Sequence, residues 1–188
     1  MHHQSVAAQL AHQVALAMRA PVAPAAVHAA ERLLLDSLAC ALGAADSPAV
    51  AAGAKWAARI AGTPEATILG SGQKTSVLGA AMVNGMMVRD LDMNDTYFST
   101  NPAHPSDNLG TCLGVGEAEK SSAEDVLKSW LIAFEVQMRI CEFTSASFFK
   151  TIGWDQTTVV TIASAAAAGA LLHLDEEQLT QAIAIAGC

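Results

Sequence analysis

The chain has 188 residues, of which 52% are hydrophobic and 15% charged, and its formal net charge is −8. A chain of this length can bury a core as one domain, so we expect residues 1–188 to form a single helical domain. Its apolar runs are shorter than the roughly 18–20 residues of a membrane helix. The negative charge argues against nucleic acid or an anionic membrane as a partner, because both need a basic face.

The first residues and the cysteines bear on the compartment and on cofactors. The opening MHHQSVAAQLAHQ has no basic region followed by an apolar core, which is the pattern of a secretory signal. The cysteines are dispersed without a C-x-x-C pair, which favours free thiols in a reducing cytosol over an iron–sulfur or zinc site. We therefore expect a cytoplasmic protein without metal or cofactor. The cysteines are Cys40, Cys112, Cys141 and Cys188.

Helix caps and a 3.6-residue apolar period predict an all-α fold of about seven helices. In the first part of the chain, residues 4–20 and 24–42 have this period. Ser47-Pro48 is a typical helix start and Gly62 a typical stop. Residues 66–70 form at most a short extended segment.

The second part of the chain continues the helical pattern. Further helices are predicted over 76–91, 105–119, 122–142 and 157–172, followed by a last helix capped by Asp175 and Gln178. Between them, residues 143–156 are expected to be irregular. Gly85 lies inside a predicted helix, where glycine costs about 1 kcal/mol, so we expect another backbone to pack closely there. Glu135 lies beside an apolar stripe and is expected to be buried and paired.

Residues 90–108, DLDMNDTYFSTNPAHPSDN, concentrate polar and titratable groups in an otherwise apolar chain. Prolines and asparagines indicate that the middle of this segment is an irregular loop. Clustered titratable groups in a loop between helices are typical of a catalytic site. The groups are Asp90, Asp92, Asp95, Asp107, His104 and the hydroxyls of Thr96, Ser99, Thr100 and Ser106.

Other interpretations of these residues remain open. Asp90, Asp95 and Asp107 are interpreted as helix caps or as acceptors of loop hydrogen bonds. A divalent-metal site made of Asp92, Asp95 and His104 fits the ligand chemistry, but the H-x-x-x-H type of spacing is absent. The run from Gly70 to Lys74 lacks the spacing of a phosphate loop.

Several short motifs together resemble those of one enzyme family. They are Asn84-Gly85, LDMNDT (91–96), AHPSDN (103–108), FEV (134–136), GWD (153–155) and an alanine-rich helix ending in LLHL. The pair LDMNDT and HPSDN is the specific part, and the resemblance runs over nearly all of the chain. On these residues the sequence resembles the MmgE/PrpD family.

The resemblance implies a fold, a site and an assembly. The fold would be a helical domain whose lid domain, or C-terminal part, is absent from this chain. Asp92 and His104 would be catalytic, and Thr96 would position or contact the substrate. Homodimerisation and catalysis without an iron–sulfur cluster are also implied.

Two further residues are assigned to substrate binding. Arg89 is the cation beside the polar segment, and an anionic substrate needs local cations. Gln156 stands where many relatives have histidine after GWD. Glutamine can hydrogen-bond a carboxylate but cannot exchange a proton at neutral pH.

The activity implied is dehydration of a tricarboxylate, as in the 2-methylcitrate dehydratases of the family. Such a reaction needs a base that removes a proton beside a carboxylate and an acid that protonates the leaving hydroxyl. An imidazole such as that of His104 exchanges protons near neutral pH. The same groups would also serve cis-aconitate decarboxylation or iminodisuccinate epimerisation. A third possibility is a non-catalytic helical fragment that binds a partner.

Overall fold

The computed structural model describes residues 5–60, 62–145 and 147–188, and in these residues it confirms the predicted all-α class. Nine α-helices are present within this part of the chain. Two two-residue strands, β1 (Ala66–Thr67) and β2 (Lys74–Thr75), form an antiparallel pair. A 3-10 turn covers Pro105–Asn108. The helices are α1 (Val6–Arg19), α2 (Pro24–Gly43), α3 (Pro48–Ala57), α4 (Val77–Arg89), α5 (Leu109–Ala118), α6 (Ala123–Phe143), α7 (Phe148–Ile152), α8 (Gln156–Leu171) and α9 (Glu176–Ala186).

Capping side chains and a proline explain where several helices begin. The Ser47 and Ser122 hydroxyls accept hydrogen bonds from backbone N–H groups in the first turns of α3 and α6. Asp175 and Gln178 form a reciprocal capping box at the start of α9. Pro24 is the first residue of α2, where its missing N–H is not needed.

Several details differ from the sequence predictions. The first helix was predicted from residue 4, which lies outside the described residues, and α1 begins at Val6. Helix α3 ends at Ala57, before Gly62. The segment predicted as irregular contains the short helix α7, too short to give a periodic signal. Glu135 is exposed rather than buried, although it is paired, with Arg139.

The core forms around the small side chains of α8. This helix packs against α5, α6 and α9, and α1 also packs against α9. Alanines on its buried faces let the neighbouring helices approach closely, and large α6 side chains such as Trp130 fill the space between them. No single helix in the described residues is long and apolar enough to cross a membrane. Helices α2 and α3, bent by 92° from each other, together meet the length and composition criteria.

Helix α4 carries the chain into the polar segment, and its position is fixed from two sides. Asn84 is buried; its Oδ1 accepts from Leu69 N (2.9 Å), and its Nδ2 donates to Thr67 O (2.9 Å). On the other side α5 packs on α4 at Gly110, where an added Cβ would lie 2.5 Å from Ala81 O. The backbone of α5 does approach α4 closely at Gly85, but the glycine that makes room for this approach is Gly110 of α5. A Cβ at Gly85 itself would meet nothing within 4 Å.

Candidate active site

The polar segment starts where α4 ends, with a tight left-handed turn. Arg89 is the last residue of α4, and Asp92 N donates to Arg89 O at 3.0 Å. Asp92 has φ of +52°, a left-handed conformation that aspartate and asparagine adopt more readily than other side chains. The turn brings the Asp92 carboxylate back to the Arg89 guanidinium, with which it forms an ion pair.

Arg89 contacts three polar side chains of the segment. Besides Asp92, its Nη1 donates to Asn94 Oδ1 at 3.2 Å. Its Nε lies 3.9 Å from Asp107 Oδ1, within ion-pair range. The Asp92 side chain is 77% exposed and that of Asp107 only 14% exposed. Arg89 therefore lies between an acid on the surface and an acid in the interior.

The middle of the segment is closed by backbone and side-chain hydrogen bonds. Tyr97 N donates to Ala103 O (2.8 Å) and Ala103 N to Tyr97 O (3.1 Å), which makes a small antiparallel bridge. The buried Asn101 side chain donates to Thr144 O at 3.0 Å at the end of α6. The Tyr97 hydroxyl also contacts Glu142 of α6. These contacts hold the chain before His104 against α6.

His104 is oriented by the loop that precedes it. Its Nδ1 lies 2.7 Å from Asp95 O, and because a carbonyl only accepts, Nδ1 is the protonated nitrogen. Thr96 Oγ1 lies 3.4 Å from the same nitrogen. No hydrogen bond within the described residues involves Nε2. In the neutral imidazole, Nε2 is therefore the basic nitrogen and is available to a ligand.

Gln156, the first residue of α8, contacts the backbone of His104. The His104 backbone N–H donates to Gln156 Oε1 at 3.3 Å. With Oε1 occupied in this way, the Gln156 Nε2 group keeps its donors for another acceptor. The structure thus joins Thr96, His104 and Gln156 in one contact group, and Arg89 with Asp92 in a second.

Electrostatics connects the two groups. The pKa of Asp92 is lowered, first by its hydrogen bond from Arg89 and then by the Arg89 charge, with a smaller effect of His104. Burial raises the pKa of Asp95, although hydrogen bonds from Ser106 oppose this. Burial raises the pKa of Asp107 to about 6, against the opposing charges of Arg89 and His104. Within the segment, the pKa of Asp92 is thus lowered, whereas the pKa values of Asp95 and Asp107 are raised.

The acids interpreted as loop acceptors have distinct positions. Asp95 Oδ1 accepts from Ser106 N at 3.1 Å, as a loop hydrogen-bonding role requires. Asp107 lies in the 3-10 turn rather than in a regular first helical turn, and Asn94 Nδ2 is 3.4 Å from its Oδ1. Asp90 is the exposed residue that follows α4. No cluster of three or more His, Cys, Asp or Glu side chains suited to a metal ion occurs in the described part of the chain.

A buried polar network lies beneath the segment, and sequence analysis did not find it. Asn108 Nδ2 donates to Pro105 O (2.9 Å) and to Gln137 Oε1 (2.7 Å), while its Oδ1 accepts from Ser164 Oγ at 2.8 Å. Asn108 and Gln137 have no solvent exposure. The network ties the 3-10 turn to α6 and α8. A glutamine on the apolar side of α6 was the available signal.

Asp92 and Thr96 are exposed, and the other predicted site residues, Arg89, His104 and Gln156, are half-buried. The cavity of about 630 Å³ lies between α1, the start of α2 and α6, and a second of about 440 Å³ lies near the starts of α2 and α6. None of the predicted site residues lines either of them.

The model of the MmgE/PrpD N-terminal domain matches residues 8–188. The chain belongs to the MmgE/PrpD family. It is similar to 2-methylcitrate dehydratase of Salmonella typhimurium (30% identical over 166 residues, 81% of this chain and 33% of the relative). It is also similar to 2-methylcitrate dehydratase of Cupriavidus necator (29% over 170 residues, 84% of this chain and 34% of the relative). The mitochondrial 2-methylcitrate dehydratase of Yarrowia lipolytica is 34% identical over 110 residues, 53% of this chain and 21% of the relative. The matched part thus spans between about a fifth and a third of these relatives.

Proposed function

We propose that residues 1–188 are a single helical domain that supplies the acid–base half of a hydro-lyase active site. The reaction is dehydration of a tricarboxylate of the 2-methylcitrate type, without an iron–sulfur cluster. A C-terminal lid completes the site, and the working enzyme is a cytoplasmic homodimer. Family membership and the names of the relatives support the reaction class.

The observation that carries the proposal is the orientation of His104. The Asp95 carbonyl holds the Nδ1 proton, which directs the basic Nε2 toward a ligand. A base held in one tautomer is what proton removal beside a carboxylate requires. Glutamine cannot exchange a proton, so the role of Gln156 is hydrogen bonding. Its Oε1 accepts from the His104 backbone N–H, and its Nε2 donates hydrogen bonds to a substrate carboxylate.

Asp92 is the proposed second proton-transfer group. Its ion pair with Arg89 keeps it ionised in the free protein. A substrate carboxylate that competes for Arg89 releases Asp92 and removes its favourable partner, so that Asp92 takes up a proton more readily. Thr96, beside His104, contacts the substrate or positions the imidazole.

The test uses the chain extended by the C-terminal part that its relatives have. We expect His104→Ala to lower kcat for 2-methylcitrate by about 10²–10⁴-fold, the usual contribution of general acid–base catalysis. Asp92→Asn should also lower kcat while keeping the fold, because asparagine tolerates the left-handed turn. Product formation is followed by the absorbance of the unsaturated tricarboxylate.

The matched control is His28→Ala. His28 lies on α2 with a 75% exposed side chain and should leave kcat unchanged. Full activity of the His104→Ala protein would refute the role of His104. Release of CO₂ from cis-aconitate, or epimerisation of iminodisuccinate, in place of dehydration would keep the site and refute the substrate.

A further inference from the structure

Arg89 is held by two acids that differ in their access to solvent. Asp92 reaches its Nη1 from the open side, with a 77% exposed side chain. Asp107 lies 3.9 Å from its Nε on the protein side, with a 14% exposed side chain. An external carboxylate can replace the first acid but cannot reach the position of the second.

Asn94 connects Arg89 to Asp107 and is itself buried. Its Oδ1 accepts from Arg89 Nη1 at 3.2 Å, and its Nδ2 is 2.8 Å from Ser106 Oγ and 3.4 Å from Asp107 Oδ1. A guanidinium only donates and a carboxylate only accepts, so the amide has one orientation consistent with both partners. On the protein side, the contacts of Arg89 are therefore held in place by the hydrogen bonds of the buried Asn94.

We propose that Asp107 is the positioning residue of Arg89, fixing the guanidinium from the protein side so that its outer nitrogens face a substrate carboxylate. This rests on the proposed function insofar as the ligand is a carboxylate. The exposed Asp92 accepts from one of these nitrogens, Nη1, in the free protein. Substrate binding exchanges Asp92 for the substrate carboxylate, while Asp107 and Asn94 keep Arg89 in place.

The arrangement makes the positioning depend on pH. Asp107 is faced by Arg89 from α4 and by Asp95 and His104 from the polar segment, and Asp36 of α2 acts on Asp95. Burial raises the pKa of Asp107 to about 6. Above this pH the ionised carboxylate attracts the guanidinium, and below it the neutral carboxyl group no longer does.

The experiment compares Asp107→Asn with Asp90→Asn in this 188-residue chain. Asp90 is exposed and follows Arg89 directly, so its variant makes the same charge change without removing a contact to Arg89. Exchange of the Arg89 Nε proton with water is measured by NMR between pH 5 and 7.5. We expect exchange at pH 7.5 to be at least about threefold faster in Asp107→Asn than in the parent and Asp90→Asn proteins. The difference should vanish at pH 5, where Asp107 is already protonated.

Affinity for citrate, used as a tricarboxylate probe and measured in the chain extended by the C-terminal part that its relatives have, gives a second readout. Asp107→Asn should weaken binding at pH 7.5 by at least about threefold and leave it unchanged at pH 5. Equal Arg89 exchange rates in the three proteins at pH 7.5 would overturn the positioning role. Failure of the extended parent chain to bind citrate, with the exchange result as expected, would count against the proposed substrate class and leave the positioning of Arg89 established.

Discussion

Asp107 carries a carboxyl group that the fold buries beside Arg89 and Asn94. Its pKa rises from an ordinary 3.8 to about 6, so the folded protein binds this proton more tightly than the unfolded chain does. Stability from this group is present below about pH 4 and is lost as the pH rises toward 6. At neutral pH this pKa shift lowers the free energy of unfolding by up to about 3 kcal/mol.

We therefore expect Asp107→Asn to raise the free energy of unfolding at pH 7 by about 1–2 kcal/mol, since the amide needs no ionisation. The same change should flatten the pH dependence of stability between pH 4 and 6. Urea unfolding of the parent, Asp107→Asn and Asp90→Asn proteins across this range is the measurement. A loss of stability at pH 7 with unchanged pH dependence would mean that the pair with Arg89 outweighs burial. A buried acid kept against stability is typical of functional sites.

For single residues, the sequence predicts which side chains form the candidate site better than it predicts which groups those side chains contact. The motifs single out Thr96 and His104, which the structure brings into contact, while their chemical roles remain predictions. The partner that orients His104 is a backbone carbonyl, which any residue at position 95 would supply. The burial of Asp107 depends on how the 3-10 turn packs beneath α4, which no local pattern encodes.

The packing of α4 against α5 determines where the polar segment begins and ends. The two helices approach closely because Gly110 leaves room for the α4 backbone. An added Cβ would lie 2.5 Å from Ala81 O and 2.8 Å from Gly85 N, backbone atoms that cannot rotate away. Both ends of the segment would shift if the helices were forced apart.

A matched pair of glycine variants tests this packing. Gly110→Ala should destabilise the protein by about 1–3 kcal/mol, the usual cost of overpacking. Gly85→Ala adds a methyl group where nothing lies within 4 Å and should stabilise it by up to about 1 kcal/mol through helix propensity. Midpoints of chemical denaturation give both values. Similar losses for the two variants would show that the side of Gly85 is not open.

Helix starts are the most predictable elements of this chain. A serine or aspartate hydrogen-bonding to its own first turn is a local event, so Ser47 and Asp175 can be identified by sequence alone. Helix α7 is a single short helix ended by Gly153 in a left-handed conformation. Its aromatic contacts with Trp154 come from the tertiary fold and leave no periodic signal.

The whole chain is acidic and presents few cations to an anionic substrate. Its net charge is −8, and Arg89 is the cation that the candidate site contacts. The matched relatives are between about two and a half and three times its length. The site faces open solvent, whereas acid–base catalysis on a tricarboxylate relies on excluded water and fixed opposing charges.

We expect the 188-residue chain by itself to show no measurable turnover of 2-methylcitrate. Adding the C-terminal part, as one longer chain or as a second polypeptide, should restore it because the added part supplies cations and excludes water. The measurement is the absorbance of the unsaturated product with each preparation at equal concentration. Turnover by the isolated chain at the rate of the completed protein would mean that the active site lies elsewhere in these residues.

The fold class was predictable from the sequence because helix caps and the 3.6-residue period of apolar residues recur along the chain. The family was predictable because LDMNDT and HPSDN combine in one short segment. The buried links between Asn108, Gln137 and Ser164 were not, since they join residues 29 and 56 positions apart that only the packed core brings together.

The bridge between Tyr97 and Ala103 also sets an order of assembly during synthesis. Its partners are close in sequence, so closing it loses little chain entropy, and it can form once the chain is exposed outside the ribosome. Gln156 follows His104 by 52 residues, a delay of about 3–10 s at a translation rate of about 5–20 residues per second. The loop can therefore begin to close before its contact with α8 exists, and that contact is added only after Gln156 has been synthesised.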